Sequence, residues 1–139
     1  MEQKGGQYYR FTDLDIWKIG HQLRKDVYKI TELLPEHEKY NLIGQARRSS
    51  CSISANIAEG HGRFHFQENI QFCRQARGSL LETKDHLIFI RDAQLLVGVS
   101  HEGIDELLEL CVQIYAKLNG YIAYLKKRKN NFTNKQRDK

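Results

Sequence analysis

The sequence predicts an all-α protein, an up-down-up-down antiparallel four-helix bundle, and three observations carry the prediction. A single proline, Pro35, interrupts 139 residues, whereas an all-β chain needs frequent turn punctuation. Apolar residues recur at intervals of three and four through separate segments, which is the repeat of a helix face. The breaks between those segments are short, so successive helices become antiparallel neighbours. The length suits one domain, and such a chain buries roughly two-thirds of its unfolded surface, enough for a core without disulfides or metal. With 40% hydrophobic and 28% charged residues, the composition excludes a collagen-like or wholly disordered chain.

Residues 12–34 read as the first helix. Thr12 is the expected N-cap with Asp15 three residues on, and Phe11 and Ile16 stand where a hydrophobic staple needs them. Ile16, Gly20, Leu23, Val27, Ile30 and Leu34 share one face, widened by Trp17, Ile19 and Tyr28, and Pro35 ends the helix. The second helix runs from about Tyr40 to Glu59, with Leu42, Ala46, Ser49, Ile53 and Ile57 inward and Gly60 expected to close it in a left-handed cap. That face is built from small side chains, which lets a bulkier neighbour approach closely.

After a short loop, 61–65, a third helix spans about Phe66 to Leu96 on the stripe Cys73, Ala76, Leu80, Thr83, Leu87 and Ile90. A fourth opens at Ser100, an N-cap followed by Glu102, Asp105 and Glu106 near the positive end of the dipole. Its stripe is Ile104, Leu107, Cys111, Ile114, Leu118, Ile122 and Leu125, and it ends near Lys129. The expected organisation is a flexible arm over residues 1–11, a bundle domain over 12–129 and a basic disordered tail over 130–139.

Charge is unevenly placed. Between Lys126 and Lys139 seven basic residues face one acid, so that segment carries +6 of a net +5 and the other residues carry −1. Lys126, Lys127, Arg128 and Lys129 suit the last turn of a helix, where cations complement the dipole, and a basic terminal arm also neutralises phosphates. No apolar run is long enough to cross a membrane, and the N-terminus leads to no hydrophobic signal core, so a cytoplasmic protein is expected. Cys51, Cys73 and Cys111 are odd in number and widely spaced, which fits small core residues and not a disulfide framework or a metal site.

Two strings are more particular than a bundle requires. One contains Gln45-Ala46-Arg47-Arg48 followed by Ser52-Ile53-Ser54-Ala55-Asn56-Ile57-Ala58-Glu59-Gly60-His61-Gly62-Arg63, and the other is Ala76-Arg77-Gly78-Ser79-Leu80-Leu81-Glu82. With Leu14-Asp15-Ile16-Trp17 they resemble the bacterial four-helix-bundle proteins named after intervening sequences in large-subunit (23S) ribosomal RNA genes. The resemblance covers roughly residues 11–125. It departs at Asn41, where that family often has Gly, and at Cys73, where Leu is frequent. It implies a homopentameric ring without catalytic activity. In the related accessory protein of diversity-generating retroelements, it implies a basic surface that engages RNA and a reverse transcriptase.

Read without the family, an antiparallel pairing across the 61–65 loop sets Arg47 and Arg48 beside Gly78, Ser79 and Glu82, which suggests an Arg48 to Glu82 ion pair. Adjacent arginines point about 100° apart on a helix, so one can be structural while its neighbour meets a phosphate or a partner. Ser49 and Asn56, on a mostly apolar face, are expected to satisfy one another or a backbone carbonyl. Gly60 and Gly62 read as turn glycines. His61 and His65 lack a third ligand, so neither metal nor cofactor is expected, and Arg63 is the better functional candidate of that loop. No nucleophile elbow, Gly-rich phosphate loop or paired E-x-x-H motif occurs, so no catalytic residues are assigned.

Two functions compete. The first is a non-catalytic oligomer that binds nucleic acid, RNA before DNA, through Arg47, Arg48, Arg63 and Lys126 to Lys129, with sequence-independent phosphate contacts. The second is a protein adaptor or scaffold ring whose partner is a polypeptide, for instance a nucleic-acid enzyme. In that case Tyr8, Tyr9, Tyr121 and Tyr124 would anchor the contact. Self-association is expected in either case, because Trp17, Ile19, Tyr28 and Leu33 exceed what one helix seam buries, and the resemblance implies that the assembly is a pentamer.

Overall fold

The four apolar stripes become four helices in the computed structural model, which describes residues 10–137. They are α1 (Asp15–Thr31), α2 (Gly44–His61), α3 (Phe66–Asp92) and α4 (Glu102–Arg137), and no strand occurs among the described residues. Each helix packs on two neighbours, α1 and α3 both lying against α2 and α4. Cross-helix contacts fix the antiparallel order. Arg47 reaches Thr31, Ser49 meets Thr83, and Arg77 donates to Asn119 while Arg91 reaches Asp105. The stripes expected of helices two, three and four are buried throughout, and in α1 Ile30 is half-buried while Thr31 takes the inward position. Thr31 is tolerated there because its hydroxyl donates to the Val27 carbonyl at 2.7 Å.

Several boundaries differ from expectation, each for a local reason. Thr12 does not cap α1. Phe11–Asp13 form a short 3-10 turn whose first N–H, from Arg10, donates to the Asp13 carboxylate at 3.3 Å. The helix opens one residue after extended Leu14, whose carbonyl accepts from Trp17 and Lys18. Phe11 meets Trp17 edge to face with ring centres 5.4 Å apart, in place of the Ile16 staple. Before α2, Glu36–Glu38 make a 3-10 turn and Lys39–Ile43 a π-helical turn, so regular helix starts at Gly44. Helix α3 stops at Asp92, where left-handed Gln94 (φ 52°) turns the chain. The Ser100 hydroxyl accepts the Glu102 N–H at 3.3 Å where α4 starts.

The largest correction concerns residues 130–137 of the tail expected over 130–139. Helix α4 continues to Arg137, so residues 130–137 are helical and not a disordered tail. Lys, Arg and Gln propagate a helix well, and Asn130 and Asn131 oppose it by only about 0.5 kcal/mol each. Phe132 packs against Phe66 with ring centres 6.5 Å apart, and Lys129 Nζ donates to Gln67 at 2.7 Å, tying the extension to the start of α3. Lys135 and Arg137 fall in the last turn, where cations are favoured. Of the expected arm over residues 1–11, residues 1–9, with Tyr8 and Tyr9, lie outside the described residues, as does the chain end at 138–139, while Phe11 belongs to the 3-10 turn.

Candidate nucleic-acid interface

Gly60 is not a left-handed cap. It sits inside α2, and a Cβ built there would stand 2.7 Å from Asn69 Oδ1 and 2.9 Å from the Phe72 Cβ. The glycine therefore lets α2 and α3 close together at their shared end, and Gly62 finishes the helix with its N–H on the Ala58 and Glu59 carbonyls. This tight junction projects the loop 62–65 outward beside α4. A cleft of about 410 Å³ opens there, between the Asp13 to Asp15 segment, the Arg63 to Phe66 segment, and Tyr121, Tyr124 and Arg128 of α4. A second depression, about 500 Å³, shares Phe66 and Arg128 with the first and continues past Asn131 and Phe132 to Lys135.

The cleft mixes cations with aromatic faces. The Arg128 guanidinium lies 5.5 Å from the Phe66 ring centre and 5.7 Å from that of Tyr124, whose hydroxyl it reaches at 2.8 Å. Among the described residues it has no carboxylate partner. Arg63 is different, since its Nη2 contacts Glu59 at 2.7 Å and its guanidinium lies over Phe72. Both partners of that pair are substantially exposed, so the pair adds little stability and opens readily to another anion. Phe64 is 84% exposed and Tyr124 49%. Tyr121 is half-buried against the core and not an exposed anchor, and burial pushes its hydroxyl up to about 12, partly offset by a hydrogen bond to Asn69.

Of the sequence candidates, the structure gathers Arg63 and Arg128 at this cleft, with Lys126, Lys127 and Lys129 on the same stretch of α4. It leaves Arg47 and Arg48 elsewhere, because about 18 Å of α2 separates Arg48 from Gly60. Arg47 is held by α1, its Nε donating to Thr31 Oγ1 at 2.9 Å, its Nη2 to the Tyr28 carbonyl at 3.1 Å, with the Tyr28 ring 4.5 Å away. Arg48 is exposed, and the expected pair with Glu82 does not form; Glu82 instead stands 3.5 Å from His86 Nε2. The register explains this: with Ser49 opposite Thr83, Arg48 comes level with Lys84, and its side chain is exposed.

Ser49 and Asn56 do not pair with one another. The Ser49 hydroxyl shares a 2.7 Å hydrogen bond with Thr83 and lies 3.1 Å from the Ala46 carbonyl, while Asn56 Nδ2 donates to the Ser52 carbonyl at 2.8 Å. Ser79 contributes its carbonyl to Thr83 at 2.9 Å. Cys73 and Cys111 are buried, and burial pushes their thiols up to about 12 and about 11. Cys51 is half-buried with its sulfur 3.6 Å from the Tyr28 hydroxyl. Among the described residues no group of three His, Cys, Asp or Glu could hold a metal ion, and no helix is long and apolar enough to cross a membrane. The residues that sequence reasoning missed are Phe64, Phe66 and Phe132; the aromatic interleaving of the two basic segments was the available signal.

No curated protein matches the chain. A solved structure from Bacteroides thetaiotaomicron, a protein of unknown function from the S23 ribosomal protein family, superposes with a TM-score of 0.66 at 20% identity, covering 77% of this chain and 97% of that one. At that identity the likeness speaks for the fold, and it agrees with the helix order derived above. The sequence profile of the 23S rRNA-intervening sequence proteins matches residues 12–120, most of the bundle, and the chain belongs to the 23S rRNA-intervening sequence protein family.

Proposed function

We propose that this chain is a non-catalytic, self-associating protein that binds nucleic acid through phosphate contacts made by the basic half of α4. One observation carries the reading. Lys126, Lys127, Arg128, Lys129, Lys135 and Arg137 lie on one continuous helix, and none has a carboxylate partner among the described residues. Uncompensated cations in an ordered array attract a polyanion, release its counterions and bind without reading sequence. The family name records intervening sequences in 23S rRNA genes and not a ligand, so RNA is taken before DNA as part of the proposal. The absence of catalysis is supported by the serines of α2, since Ser49 and Ser50 spend their hydroxyls on the carbonyls of Ala46 and Arg47.

The test is RNA retention against salt by the intact protein and by a variant carrying Lys126→Gln, Lys127→Gln, Arg128→Gln and Lys129→Gln. Binding of all RNA sequences should weaken alike, and the log–log salt slope should flatten by at most about 3 if all four contact single-stranded phosphates. Unchanged binding, or wild-type binding indifferent to salt between about 50 and 200 mM, overturns the electrostatic mechanism.

A second reading, the protein adaptor or scaffold ring, is favoured by the outer seam of α3 and α4. Leu81, Val112 and Tyr115 are 48%, 47% and 40% exposed there, near the Arg77 to Asn119 bond. Large apolar side chains clustered at a surface mark an interaction face, and a pentameric ring is the assembly we propose for it.

A further inference from the structure

The cationic half of α4 accounts for attraction to any polyanion, but not for the rings beside it. Phe64 is 84% exposed in the loop that shares a cleft with α4, and Tyr124 and Phe132 are 49% and 56% exposed. Leaving three aromatic faces in water sacrifices burial that a bundle core would otherwise gain. They are not scattered. Tyr124 flanks Arg128, Phe132 meets Phe66, and Arg128 lies over Phe66 and beside Tyr124, so rings and guanidinium alternate along a groove made of two adjoining depressions that share Phe66 and Arg128, one holding Phe64 and the other Lys135.

We propose that this groove takes a single-stranded polynucleotide, with bases stacked on Phe64 and Tyr124 and the backbone following Arg128 and Lys135. The proposal rests on the phosphate-binding reading above and deepens it by naming the strandedness of the ligand and its mode of contact. A duplex hides its base faces in its own stack, so rings in a groove have nothing to meet; an unpaired strand offers one π-face per nucleotide. The opposite lip carries Asp13 and Asp15. Their carboxylates repel phosphate and accept hydrogen bonds from the exocyclic amines of bases, which orients the backbone toward Arg128 and the base edges toward α1. Asn131 and Asn134, which line the second depression, add amide donors and acceptors for base edges.

The experiment is fluorescence anisotropy of the full-length protein with a labelled single-stranded oligoadenylate, and with a blunt RNA duplex of the same length, across a salt series. The single strand should bind at least about tenfold more tightly, and Phe64→Ala should weaken it by about five- to a hundredfold, the range of one base–aromatic stack. That variant should keep the salt slope, since no charge is removed, and it should stay folded, since Phe64 is 84% exposed. Tyr124→Leu, which keeps apolar bulk but removes the ring, should also weaken the single strand. Equal affinity for duplex and single strand, or Phe64→Ala binding like wild type, overturns stacking while a retained response to the four Lys and Arg substitutions keeps the phosphate reading. No binding of either RNA at low salt overturns both.

Discussion

Gly60 shows how one missing methyl group sets a junction. An alanine there would press its Cβ on Asn69 Oδ1 at 2.7 Å and on the Phe72 Cβ at 2.9 Å, and the second of these is anchored directly to the α3 backbone. Gly60→Ala should therefore destabilise the protein by about 1–3 kcal/mol, read from the urea midpoint. Gly78 is also helical, but a Cβ there meets nothing within 4 Å, so Gly78→Ala should raise stability by up to about 1 kcal/mol. Buried protons make a second prediction. Burial raises the Cys73 thiol to about 12 and Cys111 to about 11 from 9.0, and Tyr121 to about 12 from 10.0. Above pH 9 the unfolded chain gives up protons that the folded chain keeps, so stability falls with rising pH. The contribution is complete below about pH 9 and is lost between about pH 9 and 12. Melting temperatures measured across that window should decline, and Cys111→Ala should make the decline shallower, whatever its effect on the absolute value.

Among the elements, α4 divides into two halves with different physics. Up to Leu125 it is held by a buried stripe; from Lys126 to Arg137 no residue is buried, and the helix rests on the Phe132 to Phe66 contact and the Lys129 to Gln67 hydrogen bond. A chain ending at Leu125 should keep the bundle, with a loss of less than about 1 kcal/mol, while circular dichroism at the helix band loses the share of those terminal residues. Phe132→Ala in the full chain should fray the same segment and reduce the band, because propensity alone holds a short helical end only marginally. A full helical signal in that variant would mean that the ring contact is dispensable. Midway along α2 it is α1 that makes room: the Ile53 side chain of α2 lies 3.3 Å from the position a Cβ on Gly20 of α1 would take.

On the scale of the whole molecule, charge and apolar surface are segregated. The cations of α4 gather at one end, and Leu81, Val112 and Tyr115 line the outer α3–α4 seam. If that seam is the contact between copies, Tyr115→Asp should shift sedimentation velocity at micromolar protein from an oligomer toward monomer, with the helical signal unchanged. Wild-type protein sedimenting only as a monomer would remove the ring from the account. Trp17, Ile19 and Leu33 weigh less in that argument than their sequence pattern suggested, because they pack partly against the core of their own bundle.

The apolar stripes of all four helices were legible in the sequence because a 3.6-residue period is a local property: Ile104 through Leu125 declare their inward face without knowledge of any neighbour. Arg63, Arg128 and their lysine neighbours were legible as cations for the same reason. Axial register was not, because it depends on the volumes that meet between helices. The contact of Ser49 with Thr83, and with it the separation of Arg48 from Glu82, followed only from how α2 and α3 interlock. Gly60 spells the same residue whether it caps a helix or admits a neighbouring one, and only Asn69 and the Phe72 Cβ beside it decide which. The helical course of residues 130–137 likewise came from tertiary contact, Phe132 on Phe66, since a polar, basic stretch carries no stripe of its own. That contact also turns a set of charges along the chain into a groove with rings in it, a property that exists only once α3 and α4 are side by side.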